Sequence, residues 1–157
     1  MAFGEPHMLA LTKKTGYGLI AMTRLYGLPE GEVTSAREIA ESYDLPTSLI
    51  MNVLKQLASA GFVEGVRGAR GGYRLACRPE RVSLADLIEA LEGPIRLAEC
   101  IAGPGKHRAD REVCSIVDHC PVAGPVHRVQ RKLSDFLKQV SLADIAEPAA
   151  AGDAAGS

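Results

Sequence analysis

The fold is decided by residues 35–61, which read SAREIAESYDLPTSLIMNVLKQLASAG. Ser35 and Glu38 have the spacing of a capping box, in which each side chain bonds the other residue's backbone N–H, so a short helix is expected there. Pro46 interrupts the helical pattern, and a longer helix is predicted from just after it to Gly61, where a left-handed glycine would end it. Two helices joined by a tight turn are typical of a helix-turn-helix, whose second helix enters the DNA major groove.

The longer helix has an apolar face and a polar face. The apolar face, at helical spacing, comprises Leu49, Ile50, Val53, Leu54 and Leu57. The candidates for DNA contact are Thr47, Ser48, Met51, Asn52 and Lys55. An Asn side chain pairs bidentately with adenine and Lys bonds guanine, whereas a Thr at the helix start is suited to a phosphate. For any one of these residues the alternative is an ordinary solvated helix face.

Two short strands are predicted after this helix, over residues 62–67 and 72–76, with a glycine-containing turn between them. Arg67 and Arg70 lie in or beside that turn, where they would reach phosphates or a minor groove. Arg74 is a candidate phosphate contact, which adds affinity without sequence information. The helix-turn-helix therefore carries a wing, and the fold class is mainly α: a winged helix-turn-helix with a two-stranded wing.

Three further helices are predicted outside this unit, besides a short terminal helix. One spans about residues 15–26, and another begins at a Ser83 cap and ends at Gly93. The last is a long C-terminal dimerisation helix, in which apolar residues recur at alternating steps of four and three. These residues are Val122, Val126, Val129, Leu133, Phe136 and Val140. A period of about 3.5 residues gives a narrow seam suited to a partner helix, so a two-fold homodimer on double-stranded operator DNA is expected.

The 157 residues carry a formal net charge of -1, so the total charge alone does not indicate a nucleic-acid binder. Positive charge is instead concentrated between Val66 and Arg81, which favours a local DNA contact. No leader pattern or apolar run of membrane-spanning length is present, so a cytoplasmic protein without a membrane partner is expected. The expected layout is a flexible extension 1–8, a DNA-binding domain 9–96, a cysteine-containing loop 97–121, the dimerisation helix with a short terminal helix 122–147, and a disordered tail 148–157.

Three cysteines, Cys100, Cys114 and Cys120, lie in the loop between the DNA-binding domain and the dimerisation helix. Thiolates are soft ligands that suit an iron–sulfur cluster. A zinc site completed by His107 or His119, or ordinary reduced thiols, are the alternatives. The sequence has no Cys-x-x-Cys pair, Gly-rich phosphate loop or Ser/His/Asp pattern, so an enzyme is not expected.

The fourth cysteine, Cys77, follows the second predicted strand of the wing. It is separated from the other three in sequence, and a lone cysteine is more often a small packing residue than a ligand.

The ordered set of motifs resembles the Rrf2 family of bacterial transcription regulators over about residues 8–146. The residues that carry the resemblance are Leu11-Thr12-Lys13, Tyr17, Ala60-Gly61-Phe62-Val63, Val66-Arg67-Gly68, Gly71-Gly72-Tyr73, Ser83-Leu84, Leu91-Glu92-Gly93-Pro94, Glu99-Cys100, Cys114, Cys120 and Val140-Ser141-Leu142-Ala143-Asp144-Ile145. Within the family, the run Leu-Glu-Gly-Pro-Ile followed by Glu-Cys is most similar to the regulators of the Suf iron–sulfur assembly system.

The resemblance implies a dimer formed through the long helix and a 2Fe–2S or 4Fe–4S cluster bound by Cys100, Cys114 and Cys120. It also implies that the chain is a repressor that senses iron–sulfur status or redox or nitrosative stress. The thirteen residues between the first two cysteines form a longer spacing than in many members. The fourth ligand stays unassigned, because Ala123 and Gly16 occupy the two positions where relatives supply it. A cluster-free regulator with a thiol switch or a partner protein is the alternative within the family.

Overall fold

The computed structural model describes residues 11–98 and 116–147, which form six α-helices and one two-stranded antiparallel sheet. In chain order the elements are α1 (Lys13–Tyr26), α2 (Ala36–Ser42), α3 (Thr47–Ser59), β1 (Val63–Val66), β2 (Gly72–Leu75), α4 (Leu84–Glu92), α5 (Ala123–Gln139) and α6 (Leu142–Ala146). Short 3-10 turns lie at Pro79–Arg81 and Val117–His119. The predicted fold class, a mainly helical winged helix-turn-helix, is confirmed.

Helix α2 begins and ends as local sequence rules dictate. The hydroxyl of Ser35 accepts the backbone N–H of Glu38 at 3.1 Å, and the Glu38 carboxylate accepts the N–H of Ser35 at 2.7 Å, which completes the capping box. After α2, Asp44 adopts a positive φ of 52°, and the N–H of Leu45 bonds the carbonyl of Ala40 at 2.8 Å. Asp tolerates this left-handed conformation better than most side chains, so the chain turns sharply into α3.

Helix α3 ends at the predicted left-handed glycine, since Gly61 has a φ of 82° and the N–H of Phe62 bonds the carbonyl of Leu57. Four of the five residues predicted for its apolar face are buried, but Leu49 is 42% exposed. Leu49 lies at the edge of the apolar stripe, beside a shallow groove between α3 and α1.

Helix α1 begins two residues earlier than predicted, at Lys13, because the Thr12 hydroxyl accepts the N–H of Thr15 and caps it. Two glycines lie inside this helix without breaking it. At Gly18 a Cβ would overlap the side chain of Leu91, so the missing side chain lets α4 pack closely against α1. The core contains residues from α1 to α4, β1 and α6: Ala21, Met22, Leu25, Ile39, Ile50, Leu54, Leu57, Val63, Leu87, Leu91 and Leu142.

The wing is slightly shorter than the two predicted strands. Val63 faces Leu75 and Val66 faces Gly72 in the antiparallel register. Thr34, just before α2, exchanges two backbone hydrogen bonds with Tyr73, at 3.1 and 2.8 Å. The wing is therefore fixed to the start of the helix-turn-helix as well as to the end of α3.

A repeated pentapeptide, Val-Ser-Leu-Ala-Asp, joins α4 to α6. It occurs at 82–86 and at 140–144, and each copy forms a Ser/Asp capping box at the start of its helix. The two copies run antiparallel and exchange backbone bonds: Leu84 donates to Val140, and Leu142 donates to Val82, both at 2.8 Å. This pairing places the fully buried Leu142 in the core and fixes the far end of α5.

In the described residues 11–98 and 116–147, no helix has the length and apolar character needed to cross a membrane.

Candidate DNA-reading face and cysteine site

The candidate DNA-reading face lies on α3. All five residues singled out on this helix are exposed: Thr47, Ser48, Met51, Asn52 and Lys55. The opposite side of α3 carries its buried residues, which pack on α1 and α2 and fix the helix orientation. The first turn of α3 contains no acidic residue and no side-chain cap, and its Leu49 and Ile50 N–H groups bond the carbonyl of Pro46. The N–H groups of Thr47 and Ser48, at the very start of the helix, are the ones suited to a phosphate.

The turn of the wing carries two of the arginines that the sequence predicts to contact DNA. Arg67 and Arg70 are both exposed, and they flank the turn in which Gly68 has a φ of 128°. The turn is tight, since the N–H of Gly71 bonds the carbonyl of Gly68 at 3.0 Å and a Cβ at Gly71 would overlap backbone oxygen. Only glycine fits these positions without strain, and the resulting turn exposes both guanidinium groups.

Arg74 differs from the other two wing arginines. Its Nε lies 2.5 Å from the carboxylate of Glu64 on the facing strand, and both side chains are about half exposed. The cross-strand pair offsets part of the arginine's charge, so Arg74 is a weaker phosphate candidate than Arg67 or Arg70.

Sequence reasoning overlooked the basic start of α1. Lys13 and Lys14 line the groove between α1 and α3, together with the exposed Asn52 of the reading helix. The side chain of Lys14 bonds the carbonyl of Leu91, whereas Lys13 is exposed. The Leu11-Thr12-Lys13 motif, with Lys14 after it, is the feature of the sequence that marks this basic helix start.

One of the three loop cysteines lies within the described residues. Cys120 is half-buried at the turn between Val117–His119 and α5, and its carbonyl accepts the N–H of Ala123. The remaining two, Cys100 and Cys114, and the zinc candidate His107, lie outside the described residues. Over 11–98 and 116–147, no three His, Cys, Asp or Glu side chains are grouped closely enough to hold a metal ion.

Neither position for a fourth ligand offers a donor atom. Ala123 is the first residue of α5, and Gly16 faces open space with no atom within 4 Å of where its Cβ would lie. His119, adjacent to Cys120 in the chain, is exposed. Thiolates of the three loop cysteines, if they bind a metal, are soft ligands that suit iron–sulfur or zinc chemistry better than a hard cation.

Cys77 is a packing residue, as the sequence suggested. Its Sγ donates to the carbonyl of Phe62 at 3.5 Å, and it packs against the core at the foot of the wing. Burial raises the pKa of the Cys77 thiol, so the thiolate needed for metal binding or nucleophilic attack is disfavoured.

The predicted dimer seam on α5 divides into two rows. Val122, which is the N-cap residue just before α5, and Val129 and Phe136 within the helix are spaced seven residues apart and are 55%, 56% and 60% exposed. Val126 and Leu133 are half-buried, on the side of α5 that carries its buried residue. Within residues 11–98 and 116–147, this row is therefore the part of the predicted seam that the rest of the chain leaves exposed.

The last predicted seam residue lies beyond the helix. Val140 is the C-cap of α5 and has extended backbone, with its carbonyl bonded to the N–H of Leu84. The backbone of Val140 therefore pairs with the start of α4 and is not helical. Val140 follows the apolar spacing of the helix in the sequence, but it is not part of the helix.

Within the described ranges 11–98 and 116–147, an exposed reading helix, a two-stranded wing with exposed arginines and a long helix with an exposed apolar row define a winged helix-turn-helix regulator. Residues 11–148 match the family model described as Rrf2, iron-dependent transcriptional regulator. The chain belongs to the Rrf2 family of DNA-binding transcription regulators.

Solved structures agree with this assignment. CymR of B. subtilis, described as its global cysteine regulator, is 29% identical with a TM-score of 0.65, covering 88% of this chain and 97% of its own. The oxidized form of Staphylococcus aureus CymR is 26% identical with a TM-score of 0.67, covering 90% and 99%. T. potens IscR is 27% identical with a TM-score of 0.65, covering 95% and 94%.

Proposed function

We propose that the chain is a homodimeric, operator-binding repressor whose loop cysteines Cys100, Cys114 and Cys120 hold an iron–sulfur cluster. The signal is iron–sulfur status, or the redox or nitrosative stress that damages such clusters. Family membership supports the DNA-binding regulator, and the cluster and its ligands are the part that we add.

The observation that carries the proposal is the position of Cys120. It lies at the foot of α5, three residues before the helix begins, and α5 carries the exposed row of Val122, Val129 and Phe136. A group bound at Cys120 would therefore act at the start of the helix that we assign to the dimer interface.

The cluster would supply a redox-sensitive centre whose iron exchanges ligands where the thiolate set is incomplete. The chain's own residues do the rest. The wing arginines and the face of α3 bind DNA, and the exposed row of α5 sets the separation of two reading helices. A two-fold dimer then reads half-sites about 34 Å apart.

Linkage makes the two sites reciprocal. If the occupied loop favours the operator-binding form of the dimer, operator must favour the occupied loop by the same factor. The proposal requires a difference in operator affinity between occupied and empty protein, and either sign satisfies it.

The test is anaerobic purification followed by absorbance spectroscopy and analysis of iron, sulfide and zinc. We expect a coloured protein, and Cys100→Ser, Cys114→Ser and Cys120→Ser should each lose most of the bound iron. Cys77→Ala is the matched control and should retain it. A colourless protein that takes up neither iron nor sulfide on reconstitution would contradict the proposal of an iron–sulfur cluster. Stoichiometric zinc would instead indicate a zinc-stabilised DNA-binding module.

A thiol switch is the second candidate, favoured by the similarity to a CymR solved in an oxidized form. In that case the colourless, iron-free protein should change its operator affinity on treatment with peroxide and recover it with a thiol reductant. The Cys100→Ser, Cys114→Ser and Cys120→Ser variants then identify the thiols involved. If peroxide has no effect, the remaining candidate is control by a partner protein.

A further inference from the structure

Gln130 is the one buried residue of α5 among the described residues, with 8% of its surface exposed. It lies in the middle of a helix whose other polar side chains are mostly exposed. Burying an amide costs free energy unless both of its ends form hydrogen bonds. The contacts of this side chain therefore explain why a polar residue is present there.

Both ends of the Gln130 amide bond the chain that leads into the cysteine loop. Its Oε1 accepts the N–H of Leu97 at 2.8 Å, and its Nε2 donates to the carbonyl of Ile95 at 2.6 Å. The same Nε2 lies 3.2 Å from the hydroxyl of Ser134, one turn further along α5. A single side chain thus fixes two backbone groups of a segment that has no regular secondary structure.

The segment 93–97, which we name the stem, is also fixed at its other end. The Glu92 carboxylate accepts hydrogen bonds from Thr12 and Thr15 at the start of α1, the second at 3.3 Å. The Leu91 carbonyl accepts a hydrogen bond from the Lys14 ammonium group. The stem therefore runs from a junction with the DNA-binding unit to a junction with the dimer helix.

A glycine separates the two junctions. Gly93 ends α4 with a φ of 87°, a conformation that other residues rarely adopt, and its N–H bonds the carbonyl of Glu89 at 3.0 Å. The change of direction at Gly93 lets the stem leave α4 and reach α5. Cys100 follows the stem by three residues in the sequence.

We propose that Gln130 is the positioning residue that joins the cysteine loop to α5, so that the state of the loop reaches the dimer helix through the stem. The inference rests on the proposed function for its signal, but the joint itself is a property of described residues. An amide suits the role because it both donates and accepts while staying neutral at every physiological pH.

Two variants of Gln130 and one control variant test the connection between α5 and the stem. Gln130→Met keeps the volume and removes both hydrogen bonds to the stem, while Gln130→Glu keeps an acceptor for Leu97 and loses the donor to Ile95. Gln139→Met makes the same chemical change at an exposed position of the same helix. Circular dichroism and light scattering check that each variant is folded and keeps its oligomeric state. If Gln130→Met does not fold, Gln130→Glu is used for both measurements.

The first measurement is hydrogen exchange at the Leu97 amide in the full chain. We expect exchange about tenfold faster in Gln130→Met, smaller acceleration in Gln130→Glu, and the wild-type rate in Gln139→Met. An unchanged exchange rate of the Leu97 amide in Gln130→Met would show that Gln130 does not fix the stem to α5, whatever the cysteines bind.

The second measurement is the ratio of operator dissociation constants with and without reconstitution by iron and sulfide. We expect a ratio different from one in the wild type and in Gln139→Met, and a ratio close to one in Gln130→Met. If Gln130→Met shows faster exchange at Leu97 but keeps the wild-type ratio of operator dissociation constants, the signal does not pass through the stem. A ratio of one in the wild type overturns the proposed function instead, and Leu97 exchange still decides whether Gln130 fixes the stem.

Discussion

Gly16 and Gly18 lie two residues apart in α1 but have opposite surroundings. A Cβ at Gly16 meets nothing within 4 Å, whereas a Cβ at Gly18 overlaps Leu91. We expect Gly16→Ala to raise the free energy of unfolding by up to about 1 kcal/mol, because alanine restricts the unfolded chain and favours the helix. Gly18→Ala should lower it by about 1–3 kcal/mol, since the buried Leu91 side chain must leave its packed rotamer or α4 must shift. Urea unfolding of the two variants checks the prediction, and equal shifts of the same sign would contradict it.

Asp144 provides a prediction about pH at the cap of α6. Hydrogen bonds from the Ser141 hydroxyl and backbone hold the pKa of Asp144 below its usual value. A carboxyl with a lowered folded-state pKa stabilises the fold above its unfolded pKa, and this contribution is lost as pH falls through the folded pKa. In Ser141→Ala we expect the pKa of Asp144 to rise and the acid-side loss of stability to shrink.

Carboxyl NMR titration measures that change directly. Ser35→Ala is the matched control, because the pKa of Glu38 is lowered first by the Ser35 backbone N–H and then by the Ser35 side chain. Ser35→Ala should raise the pKa of Glu38 and leave Asp144 unchanged. A pKa of Asp144 that stays the same in Ser141→Ala would show that the cap does not hold this carboxylate.

At the scale of elements, boundaries set by local chemistry were predictable. The Ser35 capping box and the left-handed Gly61 both lie where the sequence indicated them. The start of α1 was missed because Thr12 caps it without an acidic residue in the first turn. Val140 was assigned to the α5 seam because its periodicity continues, but pairing with the distant Leu84 makes it extended. Contacts between distant parts of the chain leave no trace in a local pattern.

The wing gives a prediction that separates its three arginines. We expect the double variant Arg67→Ala and Arg70→Ala to weaken operator binding and to lower the slope of log affinity against log salt by about two. Arg74→Ala should have a smaller effect, because Glu64 already neutralises part of its charge. Fluorescence anisotropy across a salt titration measures both quantities. If Arg74→Ala matches the double variant, or if the double variant binds like the wild type, the assignment of the wing is wrong.

For the whole molecule, the sequence predicted the class of protein better than its assembly. A period of 3.5 residues identifies an apolar stripe on α5, but it does not say which residues of that stripe are covered by the rest of the chain. The structure makes that division, with Val126 and Leu133 turned inward and Val129 exposed. The Gln130 junction was not predicted, because an isolated Gln in a polar helix carries no local sign of burial. The spacing of the three loop cysteines suggested a set of metal ligands, but spacing along the chain does not give the distances between their sulfur atoms.

The exposed row of α5 leads to a prediction about assembly. Phe136→Glu should convert the dimer to a monomer, because it places a charge in the apolar row that we assign to the interface. Operator affinity should then fall by at least about a hundredfold, since a monomer loses the avidity of two linked half-sites. Arg131→Glu is the control: it introduces a larger charge change about 200° around the helix from Val129. It should keep the dimer mass by light scattering and the wild-type operator affinity. A Phe136→Glu variant that stays dimeric and binds operator normally would mean that the two chains associate through another surface.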